Sequence, residues 1–223
     1  IIAIGGGVVT DLAGFIAATY CRGVDFIHIP TTLLAMVDAA VGGKNGVNTP
    51  SGKNFIGTFK QPCAVYIDPT VLRTLGQPEM VDGLVESIKH GLIASTTLVS
   101  TIIQNSRSLI EGQYHSYPQL IAQSINIKAN IITQDEHERG QRAILNLGHT
   151  IGHALEQVFN YQVSHGQAVL MGLLIEGKIA HSMHILNHNA LQYLQQIHHH
   201  FALTTIELNP SHFNALTTAL KLD

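Results

Sequence analysis

Hydrophobic residues follow two rhythms along the 223-residue chain. Up to about residue 76 they come in short continuous runs, 1–4, 24–29 and 64–67. Each run is closed by a turn signal: Gly5-Gly6-Gly7, Pro30-Thr31-Thr32 and Asp68-Pro69. Short apolar runs with such boundaries read as buried strands, and the helical spacing from the glycines to Tyr20 adds a helix behind the first. Strands alternating with helical segments predict a largely parallel α/β sheet. Within it, Asn45-Gly46 is a signal for a tight hairpin turn. Beyond residue 78 the spacing becomes helical, with helices expected near 78–94, 97–111, 117–134, 141–160, 164–185, 189–202 and 210–221. Gly112, Pro118 and the Asn-rich 187–189 segment punctuate them. The change of rhythm predicts a boundary near residue 76, between part of a nucleotide-binding α/β domain (1–76) and an all-α domain (77–223). No internal repeat interrupts either part. Because such an α/β domain needs more strands than 1–76 supplies, both ends of the chain are expected to be cut.

Composition narrows the class. With 45% hydrophobic and 12% charged residues the chain can bury a substantial core. A formal charge of −3 without a basic run argues against nucleic acid as a partner. No stretch approaches a membrane span and no charged-then-apolar leader opens the chain, so a soluble, cytoplasmic protein is expected. Cys21 and Cys63, far apart, indicate no disulfide framework or thiolate metal site and are expected as free, buried thiols. The triplet His198-His199-His200, on a Gln-rich amphipathic stretch, reads as a solvated face.

The chemistry concentrates in residues 142–154, RAILNLGHTIGHA, followed by Ser164-His165-Gly166. His149 and His153, one helical turn apart, share a helix face and can address one metal ion or one ligand; packed core histidines are the plainer alternative. Zinc commonly takes His nitrogen with carboxylate oxygen, and an open position makes such a site catalytic. Glu86 and Lys89, at i and i+3, read by themselves as an intrahelical ion pair. Glu138 and Arg142 are spaced i, i+4 with Asn146 a turn further, a spacing that also suits a charged solvent face. Upstream, Gly5 to Gly7 before a helix can cradle a pyrophosphate, although the run is not a dinucleotide fingerprint. Asp11, Thr31 and Thr32 favour a cofactor crevice at the strand ends. Lys44 and Lys53, each between Gly and Asn, suit an anionic ligand, whereas Lys60 reads as a loop charge.

Taken together, the stretches 5–15 (GGGVVTDLAGF), 30–34 (PTTLL), Val37-Asp38, 42–44 (GGK), 52–54 (GKN), 83–89 (GLVESIK) and the histidine block resemble the 3-dehydroquinate synthase family, in order and with its spacing, over nearly the whole chain. The resemblance implies a dehydroquinate synthase-like fold, an NAD cofactor and a zinc (or cobalt) ion. It implies Glu86, His149 and His165 as metal ligands, and moves His153 to substrate and phosphate. Cofactor contacts are implied for Gly6, Gly7, Val8, Val9, Thr10, Asp11, Thr31, Thr32, Asp38, Lys44, Lys53, Val71, Leu72, Arg73 and Thr74. Substrate or catalytic roles are implied for Lys44, Asn54, Lys89, Lys128, Glu138, Arg142, Asn146 and His153, with Glu138 orienting its basic neighbours.

The implied reaction is a carbon–oxygen lyase step of the shikimate route to aromatic compounds: 3-deoxy-D-arabino-heptulosonate 7-phosphate gives 3-dehydroquinate and phosphate. NAD⁺ transiently oxidises the C5 alcohol, phosphate is eliminated, the hydride returns, and the opened ring recloses as a carbocycle. The family also implies a homodimer, and a lysine-bearing segment beyond Asp223. Departures from its pattern are Thr10 for a usual Gly, Asn45 for Thr, His90 for Tyr and Gln167 for Glu. Thr10 is expected to add bulk near the pyrophosphate, and Gln167 to weaken support of His165. Rival readings are another NAD- and zinc-dependent sugar phosphate cyclase, a metal-dependent polyol dehydrogenase, and a noncatalytic metal-binding fragment.

Overall fold

The structure, a computed structural model, describes every residue except 50, 51, 114, 204, 205, 222 and 223, and omits the side chains of 52–54 and 211. The expected substrate residue Asn54 and cofactor residue Lys53 therefore have side chains outside the described residues.

Strand β1 (Ile2–Gly5) runs into helix α1 (Gly7–Thr19), and β2 (Ile27–Pro30) returns parallel to β1 with Ile2 opposite Ile27 and Gly5 opposite Pro30. The short β5 (Ala64–Val65) lies parallel on the other side of β2, giving the order β1-β2-β5. The expected parallel sheet is thus present, with strands shorter than the apolar runs that announced them. Ile2 and Ile4 on β1, and Val8 and Leu12 on α1, stand exposed.

Strands β3 (Lys44–Thr49) and β4 (Gly52–Phe59) form an antiparallel hairpin, but Asn45-Gly46 is not its turn. Asn45 pairs with Thr58 and Gly46 with Gly57, deep in the ladder. Asn45 is buried, and its side-chain amide donates to Gly43 O and Lys60 O, each at 2.9 Å. Buried backbone acceptors beside it satisfy the Asn that a solvent-facing turn would leave to water. The hairpin packs on α1, where Gly14 makes room: a Cβ there would lie 1.8 Å from Asn45 Oδ1.

The helical part begins with α2 (Gln77–Ala94), which carries Pro78 in its first turn, where a missing N–H costs nothing. The expected helix 97–111 divides at Asn105 into α3 (Thr96–Gln104) and α4 (Ser106–Ile110). Asn105 turns its side-chain amide back onto Thr101 O at 2.8 Å, the local bonding by which Asn ends a helix. Then come α5 (Tyr117–Gln134), α6 (His149–Val158), α7 (His165–Ser182), α8 (His188–Phe201) and α9 (Pro210–Ala219).

The expected helix 141–160 also divides. Residues Gln141–Asn146 form a 3-10 segment, and Gly148, at φ +79°, starts α6 afresh. Only glycine adopts that conformation without strain. Glu138 lies outside any helix at φ +54°, so Glu138, Arg142 and Asn146 are not turns of one helix.

One core runs through both parts of the chain. Leu33, Met36, Val37 and Leu72 pack in a single cluster with Met80, Leu84, Ile88, Leu98, Ile102 and Val169, across the expected boundary at residue 76. Helix α2 lies at its centre, buried nearly all round from Met80 to Gly91. An all-round buried helix is usually apolar, yet this one carries Glu86, Ser87, Lys89 and His90 inside. Cys21 and Cys63 are free but exposed, contrary to expectation: Cys21 sits in the kink behind α1 at φ +49° and Cys63 in the loop before β5. No described helix is long and apolar enough to cross a membrane.

Candidate active site

Three helices converge on Glu86. It lies mid-α2 with a side chain fully closed to solvent. His149 opens α6 and His165 opens α7, with their Nε2 atoms 3.5 and 3.6 Å from Glu86 Oε1. One donor atom from each of the three falls within 4.8 Å of the others. His149 Nδ1 is 3.2 Å from Leu147 O, and His165 Nδ1 is 3.2 Å from Glu156 Oε1. With the ring proton of each histidine on Nδ1, at its shorter contact with an oxygen, the Nε2 lone pairs are left pointing at the carboxylate. Burial pushes the His149 pKa down to about 3, against the pull of Glu86, leaving a neutral imidazole. Glu86 Oε1 is buried with no hydrogen-bond partner. Two lone pairs and a carboxylate facing one another repel, unless a cation stands among them. This donor set fits zinc or cobalt.

Beside the trio, Lys89 Nζ stands 2.5 Å from Glu86 Oε2. The i, i+3 pair expected from sequence is thus present, but both side chains are buried, so it is no surface pair. Burial favours a neutral Glu86, but the Lys89 ammonium beside it holds its pKa well below the usual carboxylate range. His153, one turn along α6, has its ring 5.3 Å from that of His149 and 6.4 Å from that of His165, and faces the same space.

That space is a cleft of about 720 Å³. From the sheet side Gly7, Val8, Asp11 and Thr32 line it, together with Asp38 and Lys44. From the helical side come Lys89, Lys128, Arg142, Asn146 and the three histidines. Asp38 sits on a π-helical turn, Ala35–Ala39, whose extra residue turns both its carboxylate and its carbonyl towards α5. Lys128 Nζ reaches them at 2.5 and 2.7 Å. Burial alone would raise the Asp38 pKa, but Lys128, then Lys89 and His90, hold it well below the usual range. The Arg142 guanidinium donates to Glu136 O at 2.5 Å and Gly42 O at 2.8 Å, and lies 5.8 Å from the Phe59 ring centre. Glu138 reaches over both parts, paired with Lys44 Nζ and accepting from Asn146 Nδ2 at 3.0 Å.

Other expected residues do not line the cleft. Gly6 is the N-cap of α1, and no side chain caps that helix. Val9 is exposed, while the Thr31 N–H joins Gly5 O at 2.9 Å. Thr10 is fully buried and its hydroxyl donates to Gly7 O at 2.8 Å, so its bulk points into the core and not, as expected, towards a pyrophosphate. Val71, Arg73 and Thr74 lie on the 3-10 segment Pro69–Thr74, and Leu72 belongs to the core. The Gln167 amide is engaged elsewhere: it donates to Phe201 O and accepts from Leu203 N, each at 2.9 Å, tying α7 to the end of α8. The support it was expected to weaken comes from Glu156, which sequence reasoning passed over because it lies nine residues before His165 on another helix.

An α/β layer carrying an uncapped glycine turn is laid against helices that bring Glu86, His149 and His165 together beside fixed cations, an arrangement suited to a nucleotide and a metal ion. Two solved structures share this fold. One is 2-epi-5-epi-valiolone synthase from Streptomyces hygroscopicus, solved with NAD⁺ and Zn²⁺ (TM-score 0.89, 27% identity, covering 99% of this chain and 63% of that one). The other is 2-deoxy-scyllo-inosose synthase with carbaglucose-6-phosphate, NAD⁺ and Co²⁺ (TM-score 0.89, 30% identity, 100% and 61%). The chain belongs to the 3-dehydroquinate synthase family, whose N-terminal part matches residues 1–82 and whose C-terminal part matches residues 83–223. The 3-dehydroquinate synthase of Streptococcus thermophilus is 43% identical over 228 aligned positions, which take in all of this chain and 62% of that protein. The chain thus spans about three fifths of the length of that relative.

Proposed function

We propose that the protein carrying this chain is a 3-dehydroquinate synthase. In this reading it converts 3-deoxy-D-arabino-heptulosonate 7-phosphate to 3-dehydroquinate and phosphate, on the shikimate route. The observation that carries the proposal is the meeting, in one cleft, of the Glu86–His149–His165 trio with the cations Lys44, Lys89, Lys128 and Arg142. The higher identity to a 3-dehydroquinate synthase than to the two other cyclases favours the carboxylated substrate.

Zinc, or cobalt, on Glu86, His149 and His165 would supply Lewis-acid polarisation of the substrate alcohol, and NAD⁺ along Gly7, Val8, Asp11 and Thr32 a reversible hydride acceptor. The chain's own residues do the rest. Arg142, locked by two carbonyls, presents its remaining N–H groups to a carboxylate or phosphate. Lys128, held by Asp38, and Lys89, held by Glu86, are positioned before substrate arrives, so little ordering is left to the moment of reaction. Glu138 aligns Lys44 and Asn146 at the seam between the two layers. His153, outside the metal trio, suits the departing phosphate.

The same proposal takes 1–76 as the nucleotide-binding part, 77–223 as the metal- and substrate-binding part, and the working protein as a cytoplasmic homodimer. The test uses the whole protein, metal-loaded, with NAD⁺ and the seven-carbon sugar acid phosphate. Phosphate release with 3-dehydroquinate formed and no net NADH is expected. Net NADH without phosphate would indicate a polyol dehydrogenase, and no turnover would turn attention to the other cyclases' substrates.

A further inference from the structure

We infer that Asp82 is a positioning residue for the metal centre, setting where His165 stands relative to Glu86. The inference rests on the metal-centre reading above. Asp82 lies one helical turn before Glu86 on α2, so both project from the same side of that helix. Its Oδ1 accepts from Ser164 Oγ at 2.6 Å and from Gly166 N at 2.8 Å, the two residues that flank His165. A single carboxylate oxygen therefore holds the chain on both sides of the ligand. Ser164 is also the N-cap of α7, so the bond reaches the helix frame as well as the loop before it.

The approach is as close as backbone allows. A Cβ at Gly166 would lie 2.4 Å from Asp82 Cα, so α7 starts directly against α2. With its start pinned there, α7 can neither slide nor rotate about its axis without breaking a charge-assisted bond. The His165 Nε2 to Glu86 Oε1 separation of 3.6 Å follows from that anchor on one side and from the Glu156 bond to Nδ1 on the other. Glu156 fixes the tautomer and plane of the ring, whereas Asp82 fixes the backbone that carries it. Asp82 itself borders the cleft near the trio and is not one of the three donors.

The test is metal binding, read without turnover. Metal-stripped whole protein is titrated with Co²⁺ while the visible d–d absorption is followed, for the wild type, Asp82→Ala, Asp82→Asn and Ser164→Ala. Asp82→Ala is expected to weaken Co²⁺ binding about 10- to 100-fold, the size of effect that ligand-supporting residues have, and to alter the band shape. Asp82→Asn, which keeps an acceptor oxygen at the same place, is expected to restore most of the affinity and the wild-type spectrum. Ser164→Ala, which removes one of the two anchors, is expected to fall between. A folded Asp82→Ala protein with wild-type affinity and spectrum, even if it melts earlier, would overturn the inference and leave Asp82 a packing residue. If Asp82→Ala does not fold, Ser164→Ala decides, and wild-type Co²⁺ binding there would be equally fatal. Wild-type protein that binds no Co²⁺ would overturn the metal-centre reading, and this inference with it.

Discussion

His90 shows how a buried polar residue couples this site to pH. It is fully buried on α2, its Nδ1 stands 2.7 Å from Ser124 Oγ, and burial pushes its pKa down to about 4. The unfolded chain has the ordinary value near 6.5 and so binds the proton more readily. Stability is therefore full above pH 6.5 and is lost as pH falls from there towards 4, by about 1.4 kcal/mol for each pH unit and each such group. Melting of the metal-free protein between pH 4 and 7 should show this slope for His90 and for His149, and His90→Gln should reduce it by one group's share. An unchanged slope would show that His90 does not contribute to it. The Asp38–Lys128 pair makes a different demand. Lys128→Met would leave a largely buried carboxylate unpaired and is expected to cost about 3 kcal/mol of stability. The double variant Asp38→Asn, Lys128→Met should recover much of that in chemical denaturation, because the penalty lies in the uncompensated charge. Failure of the double variant to recover would mean that Lys128 contributes mainly through its packing.

At the scale of elements, the site depends on helices brought closer than side chains normally permit. A Cβ at Gly172 on α7 would lie 2.0 Å from Gly148 O, and one at Gly152 on α6 would lie 3.2 Å from Val169 backbone. These glycines let α6 and α7 approach until His149 and His165 both face Glu86. Gly172→Ala has to part the helices, so it should cost about 1–3 kcal/mol and weaken metal binding together with stability. Gly140→Ala, where a Cβ would meet nothing within 4 Å, is the matching control. Wild-type metal affinity in Gly172→Ala would mean that the helix contact does not set the ligand geometry. The break at Gly148 belongs to the same logic. The run 141–160 reads as one helix because its apolar spacing persists, but a continuous helix would put Arg142, Asn146 and His149, at i, i+4 and i+7, on one face pointing the same way. The left-handed glycine lets Arg142 face the hairpin while His149 faces Glu86.

On the scale of the molecule, the two parts share one core, with Leu33, Met36, Val37 and Leu72 inserted against α2. They should therefore unfold together. Melting followed by far-ultraviolet dichroism and by tyrosine fluorescence should give coincident transitions, and two separated ones would show that the parts are independent folding units. The cleft runs along the seam of this shared core, so what holds the parts together also holds Asp38 against Lys128, and Lys44 against Glu138.

Local chemistry by itself determined the parallel strands and most of the helices, the change from strand to helical rhythm, and the candidacy of His149 and His153, because turn residues, apolar period and metal-ligand types are all written in short stretches. Spacing alone paired His149 with His153, and the tie to Glu86 and His165 had to come from likeness to a family. Only the tertiary structure decided that the hairpin turns beyond Asn45-Gly46, that Thr10 points inward, that Gln167 serves α8, and that Glu156 and Asp82 support His165. Each of those outcomes depends on which groups meet across tens of residues of chain, where a buried donor or acceptor takes whichever partner the packing brings within reach.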